Sequence, residues 1–445
     1  MDTAYGQPEL ILPSSPEYET ARQIFNRSIQ KFPAAILYCR TPQDVACAVL
    51  AARRAGRKVR LRTGGHNYEG FCVGDGAVVI DTRRMTKTEL DPRRNLVRIG
   101  AGVKNAGLYE LIGRAGYPFP SGTCPSVAAV GLTLGGGWGL SSRMFGLTCD
   151  RLVSAQMVDS EGMLHDTSED TAPDLFFALR GGGGGNFGVV TELTYALPEK
   201  FFDVTYVNIS ASGITFDVAV ALFSRFQDWL YAGDRRFTPM SRIFNSEKDG
   251  YGFFLRGIYY GTKAQAEASL HPFLTLPGAQ ATLQEATFLE AIRIVQQGYP
   301  LHEKFRNAGR FAPGRLGQEE IRNIVSMIAE RAEGSVYASV GLFGLGGRVS
   351  DIPPEHTAFF YRDAPYIIDL QMRWEEDWAE PYNLAWLRPR FAYLRQMTRG
   401  SYINFPSLLN PDDMRAYYGG NVQRLRRVKQ AYDPTNLFCF PQSIR

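Results

Sequence analysis

The sequence of 445 residues is short of several things, and each shortage removes a class of protein. Six cysteines, at 39, 47, 72, 124, 149 and 439, with no Cys-x-x-Cys pair, are too few to build a disulfide scaffold of this size. The net charge is only +4, from 49 basic and 45 acidic residues, too weak a field to mark a nucleic-acid binder. The first twelve residues carry Asp2 and Glu9 and no apolar core of signal length, so no secretory segment is expected and the chain reads as cytoplasmic. The longest uncharged run, 115–142, has the length of a membrane span, but Gly and Pro fill ten of its 28 positions; it reads as loops around a site, and no membrane partner is expected. No G-x-x-x-x-G-K-[ST], G-x-S-x-G or H-E-x-x-H string occurs, which removes the commonest NTPase, hydrolase and zinc-protease readings. His165, His271, His302 and His356 are isolated, without ligand-like spacing, and no metal site is expected.

What the chain has in abundance is glycine, 45 residues of it, and the glycine is clustered. Gly64-Gly65, Gly135-Gly136-Gly137 with Gly139, and Gly181 to Gly185 with Gly188 all precede residue 190. Such clusters suit backbone that approaches a large ligand closely. Around them the pattern alternates. Apolar residues at helical spacing predict a helix within 15–31, and 34–39 reads as a strand. Thr41-Pro42-Gln43-Asp44 opens a helix that should stop at Gly56, and 59–62 is a strand ending in Thr63-Gly64-Gly65-His66, which together make a β-α-β unit. Strands are also expected at 77–81, 96–99, 152–159 and 189–195, with helices at 105–115 and 175–180. Near Pro198 the glycine clusters end. Amphipathic helices at 217–232 and 263–274 and antiparallel strands at 251–260, 335–342 and 366–374 then predict a sheet covered by helices, followed by a last helix over 412–429. The class is α/β or α+β.

Gly183-Gly184-Gly185-Asn186-Phe187-Gly188 spells G-x-G-x-x-G, but a helix end precedes it and a strand follows, the reverse of the order a dinucleotide fold needs. The Rossmann reading is rejected; the turn remains available to a phosphate or ribose. Of the six charges at Arg53, Arg54, Arg57, Lys58, Arg60 and Arg62, only Arg62 abuts a glycine turn and can face a phosphate; the rest read as solvated, as does the late run 424–429. His66 follows two glycines at a strand end, where backbone amides form an anion-binding nest, and Cys124 lies in a turn-rich stretch with little use for a buried thiol.

Five motifs occur in order: Arg62-Thr63-Gly64-Gly65-His66-Asn67-Tyr68-Glu69-Gly70, Ser121-Gly122-Thr123-Cys124-Pro125-Ser126-Val127, Gly135-Gly136-Gly137-Trp138-Gly139, the stretch 180–190, and Tyr432-Asp433-Pro434-Thr435-Asn436. Together they resemble the berberine bridge enzyme-like flavoprotein oxidases of the vanillyl-alcohol-oxidase superfamily, from about residue 35 to the C-terminus. The resemblance implies an α+β fold with a two-part FAD-binding domain of the PCMH type, 1–198 and 397–445, and a substrate domain, 199–396, of antiparallel sheet covered by helices. It implies FAD held covalently twice, by His66 at the 8α-methyl and Cys124 at C6, positions where an electrophilic ring meets an imidazole and a thiolate. The cofactor residues it implies are Arg62, Thr63, Gly64, Gly65, Asn67, Val127, Gly131, Gly135, Gly136, Gly137, Gly139, Asn186, Gly188, Val190 and Asn404. The implied activity is oxidation of a small-molecule hydroxyl, on a carbohydrate or a secondary metabolite, with O2 as acceptor and H2O2 as product. Val127 matches a position where a small side chain leaves room for oxygen. A dehydrogenase with another acceptor, or a silent structural flavoprotein, stays open beside it.

Two positions depart from the family pattern. Tyr402-Ile403-Asn404-Phe405 ends in phenylalanine where a second tyrosine often serves as base, and Asp369 stands where glutamine is common. Asp369 and Gln371 share one side of a strand. Asp369 is then either the base, with Tyr402 and Gln371 orienting the hydroxyl, or a solvent-facing acid; Tyr402 is the other candidate base.

Overall fold

The period of the apolar residues sets three sheets. In the computed structural model, which describes residues 8–411 and 413–445, a four-stranded sheet runs in the order Glu9–Ile11, Ala35–Tyr38, Val78–Asp81, Val59–Arg62. Thr41 caps the helix Pro42–Arg54 as expected, its hydroxyl accepting from the Asp44 N–H in a capping box, and Gly56 beyond it takes φ +62°. The two strands this helix joins are not neighbours, however. Val78–Asp81 inserts between them, parallel to both. A five-stranded antiparallel sheet follows, Thr88–Asp91, Leu96–Gly100, Val189–Ala196, Leu152–Val158, Leu164–Ser168. Its two edge strands are polar and half-exposed, so they carry no apolar alternation by which the sequence would announce them. The helix Pro173–Leu179 and the strand Val189–Ala196 flank the glycine run in the order that excludes a Rossmann turn.

The third sheet has seven antiparallel strands in the order Gln280–Ala286, Val204–Ser212, Gly250–Tyr259, Met240–Ser246, Ser335–Gly344, Tyr366–Trp374, Lys304–Phe311. Successive side chains point to opposite faces. Phe253, Leu255, Ile243, Val340, Leu342, Ile368, Leu370 and Met372 bury one face in a core shared with the helices Phe216–Ala232, Lys263–Leu274, Gln318–Ser326 and Glu380–Gln396. The alternate residues, including Phe254, Arg256, Arg242, Asp369, Gln371 and Arg373, form the other face.

Four expectations need correction. Within 15–31 only Tyr18–Ala21 is helical; Asn26 Nδ2 donates to the carbonyls of Tyr68 and Phe305, which draws the segment into an irregular path between two other parts of the chain. The stretch 115–142 includes a helix, Ala129–Leu134. The last helix is two, Asp413–Tyr418 and Val422–Tyr432, separated at Gly419, which has φ +50° and lies where a side chain would strike the Phe360 ring. Lys429 is not on a wet face: it is buried, donating to Asp433, Asn186 O and Phe438 O. The leader-free reading rests in part on residues 1–7, and the expected start of the last helix on residue 412; both lie outside the described residues. Among those described, no helix is long and apolar enough to cross a membrane.

Candidate active site and cofactor cleft

The glycine turn after Val59–Arg62 delivers His66 to the wall of a cavity of about 550 Å³, and the Ser121–Val127 segment delivers Cys124 to the same wall. They meet at one hydroxyl: His66 Nε2 lies 2.9 Å and Cys124 Sγ 3.6 Å from Ser126 Oγ. Phe25 stacks on the imidazole at 4.2 Å between centroids and fixes its plane. Burial, with repulsion from Lys104, lowers the His66 pKa to about 4, so the ring is neutral at pH 7; its Nδ1 is left without a protein partner among the described residues. Burial also pushes the Cys124 thiol up, against hydrogen bonds from Ser126.

Of the other expected cofactor residues, Arg62, Thr63, Gly64, Gly65, Asn67, Val127, Gly131, Asn186, Gly188, Val190 and Asn404 line this cavity. Gly135, Gly136, Gly137 and Gly139 do not line it. A Cβ at these four would strike Asn404, Phe359, Thr148 and the Ser121 carbonyl, so they let protein pack on protein rather than approach a ligand. Trp138 between them does line the cavity.

The cavity fits a large anionic cofactor. Arg62 is wholly buried and spends only Nε on Asp81, at 2.5 Å, so Nη1 and Nη2 have no partner among the described residues. Donors of this kind are costly unless something accepts from them. Gly131 has nothing within 4 Å of where a Cβ would stand, and Gly184 only Leu134 Cδ1 at 3.9 Å, so both are open to a ligand.

The FAD binding domain family matches residues 33–168, and the family described as berberine and berberine like matches residues 401–445. The uncharacterised FAD-linked oxidoreductase YgaK of Bacillus subtilis (strain 168) is 33% identical over 441 residues, covering 98% of this chain and 96% of its own. The chain belongs to the berberine bridge enzyme-like FAD-linked oxidoreductases. Xylooligosaccharide oxidase of Thermothelomyces thermophilus (strain ATCC 42464 / BCRC 31852 / DSM 1799) is 29% identical over 97% of this chain and 91% of its own. The solved structure of Physcomitrella patens BBE-like 1, 26% identical, superposes with a TM-score of 0.90 over 99% of this chain and 97% of its own. The fold is the α+β, PCMH-type fold of this family.

Facing the His66 wall of this FAD-linked oxidoreductase is the open side of the seven-stranded sheet. Asp369 lies on that face, 2% exposed, which removes the solvent-facing alternative, but it stands behind the cavity surface and is not one of the residues that line it. Its cross-strand neighbours are Gly309 and Gly341, so the row carries no side chain on either flank of the carboxyl. Asn307 Nδ2 donates to Asp369 Oδ1 at 2.8 Å, and Arg242 Nη2 lies 3.8 Å from Oδ2. Burial raises the carboxyl pKa above the usual carboxylate range, and Arg242, Asn307 and Arg373 hold it back only in part. Gln371 lines the cavity and accepts from Arg242 at 2.5 Å and from Arg373 at 3.3 Å. Phe405 stands over Gly309 and stacks on Tyr68 at 5.4 Å, in the space a second tyrosine ring would take.

Tyr402 lines the cavity, but its oxygen accepts from the N–H groups of Gly137 and Trp138 and from Asn404 Nδ2, at 3.0–3.1 Å, and burial pushes its pKa to about 12. Trp229, Tyr251, Trp374 and Trp378 do not line the cavity; besides Trp138 and Tyr402, its aromatic lining includes Tyr68, Phe254, Tyr299, Phe305, Tyr337 and Phe343. Sequence reasoning missed Arg242, Arg256, Arg373 and Glu303. The signal for three of them was present, a charged residue on the face opposite an apolar alternation within a strand.

Proposed function

We propose that this protein is an oxidase that converts a substrate hydroxyl to a carbonyl and passes both electrons to O2, giving H2O2, with FAD attached through His66 and Cys124. When bound, FAD supplies the acceptor for hydride from the carbon that carries the hydroxyl and the means of its return to O2. We assign residues 1–198 and 397–445 to cofactor binding and 199–396 to the substrate. The chain's own residues do the rest. Arg62 offers two free donors to an anionic group of the cofactor, and Thr63 to Gly65, Gly131, Gly184 and Asn186 make room for it. Neutral His66 presents Nδ1, and Ser126, within reach of both Nε2 and Sγ, holds the two attachment groups on one wall.

The observation that carries the reading is that this wall faces a buried carboxylate. Oxidising an alcohol leaves a proton on oxygen, and a positioned base takes it. Asp369 is that base here: a raised pKa makes it a stronger acceptor than an exposed carboxylate, and it shares its sheet face with Gln371 and Arg242, which line the cavity, while Phe405 covers its Gly309 flank. Asn307 donates to one of its oxygens and Arg242 lies beside the other, and Gln371 orients the substrate from the next row. Tyr402 is assigned to fixing the Gly137-Trp138 turn, since its lone pairs are already taken. Val127, on the Cys124 wall, leaves space for O2. The relatives that are named oligosaccharide oxidases support an alcohol of the carbohydrate class.

Anaerobic mixing of the flavin-loaded protein with a panel of sugars tests this. At least one sugar should bleach the flavin, and aerated samples should form one H2O2 per carbonyl. A flavin that no sugar bleaches overturns the reading; bleaching without peroxide leaves a dehydrogenase in its place.

A further inference from the structure

Building on the reading of this cavity as the substrate site, we propose that the substrate carries a carboxylate, as a sugar acid does, and that Arg256 binds it. Three arginines and two carboxylates line or border the substrate side of the cavity: Arg242, Arg256 and Arg373 against Asp369 and Glu303. Two of the arginines are spent. Arg373 pairs with Glu303 at 3.0 Å and lies over the Tyr337 ring; Arg242 lies 3.8 Å from Asp369 and donates to Gln371 and Ser339. Arg256 has no carboxylate within ion-pair distance among the described residues. Its single hydrogen bond joins Nε to Asn208 Oδ1, a neutral amide, at 3.1 Å.

That bond fixes the guanidinium without neutralising it. Arg256 and Met240 pair across neighbouring strands on the cavity face, and the guanidinium carbon lies 5.5 Å from the centroid of the Phe254 ring. Nη1 stands 3.4 Å from where a Cβ on Gly298 would be, so the fork reaches toward the Gly298-Tyr299-Pro300 rim, where the Tyr299 hydroxyl contacts Thr123 beside Cys124. Among the described residues neither Nη nitrogen has a hydrogen-bond partner, and a guanidinium fork matches a carboxylate with two parallel hydrogen bonds. The charges also match: one uncompensated cation in a walled cavity draws one monoanion and gives a neutral sugar no comparable advantage. Arg256 lies three strand spacings, about 14 Å, from the strand of Asp369, so a substrate held at Arg256 reaches Gln371 and Asp369 with a further sugar unit along the sheet.

Anaerobic calorimetric titration of the flavin-loaded protein with matched pairs reads this binding apart from turnover: methyl glucuronoside against methyl glucoside, and methyl galacturonoside against methyl galactoside. In at least one pair the acid should bind tenfold or more tightly. Arg256→Gln should bring that ratio below threefold, Arg256→Lys should keep part of it, and added salt should shrink it. Equal affinities in both pairs, no binding of either acid, or a ratio unchanged in Arg256→Gln would overturn the proposal. Failure of the oxidase reading shows differently, as a flavin that no alcohol bleaches, and does not alter these affinities.

Discussion

In the proposed reaction two side chains act through their protonation state. Asp369 is useful as a base only when ionised, and its pKa is raised by burial. The fraction ionised therefore grows as pH rises through that raised value, and the rate of flavin reduction should climb with pH there and level off above it. Asp369→Asn removes the acceptor while keeping the shape, and should slow reduction by about 10²–10⁴-fold and abolish the climb. Stopped-flow reduction across pH checks both; a variant with the parent's rate and profile would show that the proton goes elsewhere. Burial moves His66 the other way, lowering its pKa to about 4, so the ring is neutral and nucleophilic at neutral pH. His66→Ala and Cys124→Ala should each retain flavin after denaturation through the remaining bond, and the double variant should release it. Flavin freed from the denatured parent would contradict attachment at either.

At the scale of elements, the strand Tyr366–Trp374 shows what a period of two accomplishes: Ile368, Leu370 and Met372 close a core while Asp369, Gln371 and Arg373 face the opposite way. Its neighbours are chosen to match. A Cβ at Gly341 would stand 3.0 Å from Phe343 and 3.4 Å from Asp369 Cβ. Gly341→Val should therefore crowd the carboxyl and the Phe343 ring and slow flavin reduction tenfold or more; unchanged reduction kinetics would place the substrate away from this row.

This alternation, together with the Thr41 cap and the glycine turn before His66, was legible in the sequence because each is a local pattern. The partnerships across the cavity were not. Nothing near Arg242 in the chain announces Asp369, and nothing near Gly135 or Gly137 announces that Asn404 and Thr148, rather than a ligand, fill the space beside them. The insertion of Val78–Asp81 between two strands that follow one another in sequence is likewise a fact of pairing, set by buried apolar surface on both faces rather than by any local signal.

At the scale of the whole molecule, the cofactor cleft is closed by its own chain end. Phe438 pairs with Val59, the Ile444 N–H donates to Asn186 Oδ1, and Phe440 lines the cavity, so the last residues complete a wall begun by the first 190. Lys429 joins these pieces. Its ammonium, 4% exposed, donates to Asp433 at 2.6 Å and to the carbonyls of Asn186 and Phe438 at 2.8 Å each, while Asp433 also accepts from the N–H groups of Leu437 and Phe438. Removing one member of such a buried pair leaves the other charge without its partner, at a cost of about 3–5 kcal/mol. Lys429→Ala should lower the melting temperature and, because Asn186 belongs to the cleft, reduce the flavin carried by the purified protein. Arg424 on the same helix supplies the contrast: its pair with Asp174 is exposed, and Arg424→Ala should cost no more than about 1 kcal/mol and leave flavin content intact. If the two variants melt alike and carry equal flavin, Lys429 does not hold the cleft together. If only Lys429→Ala loses flavin, the chain end and the cofactor site are one structural unit.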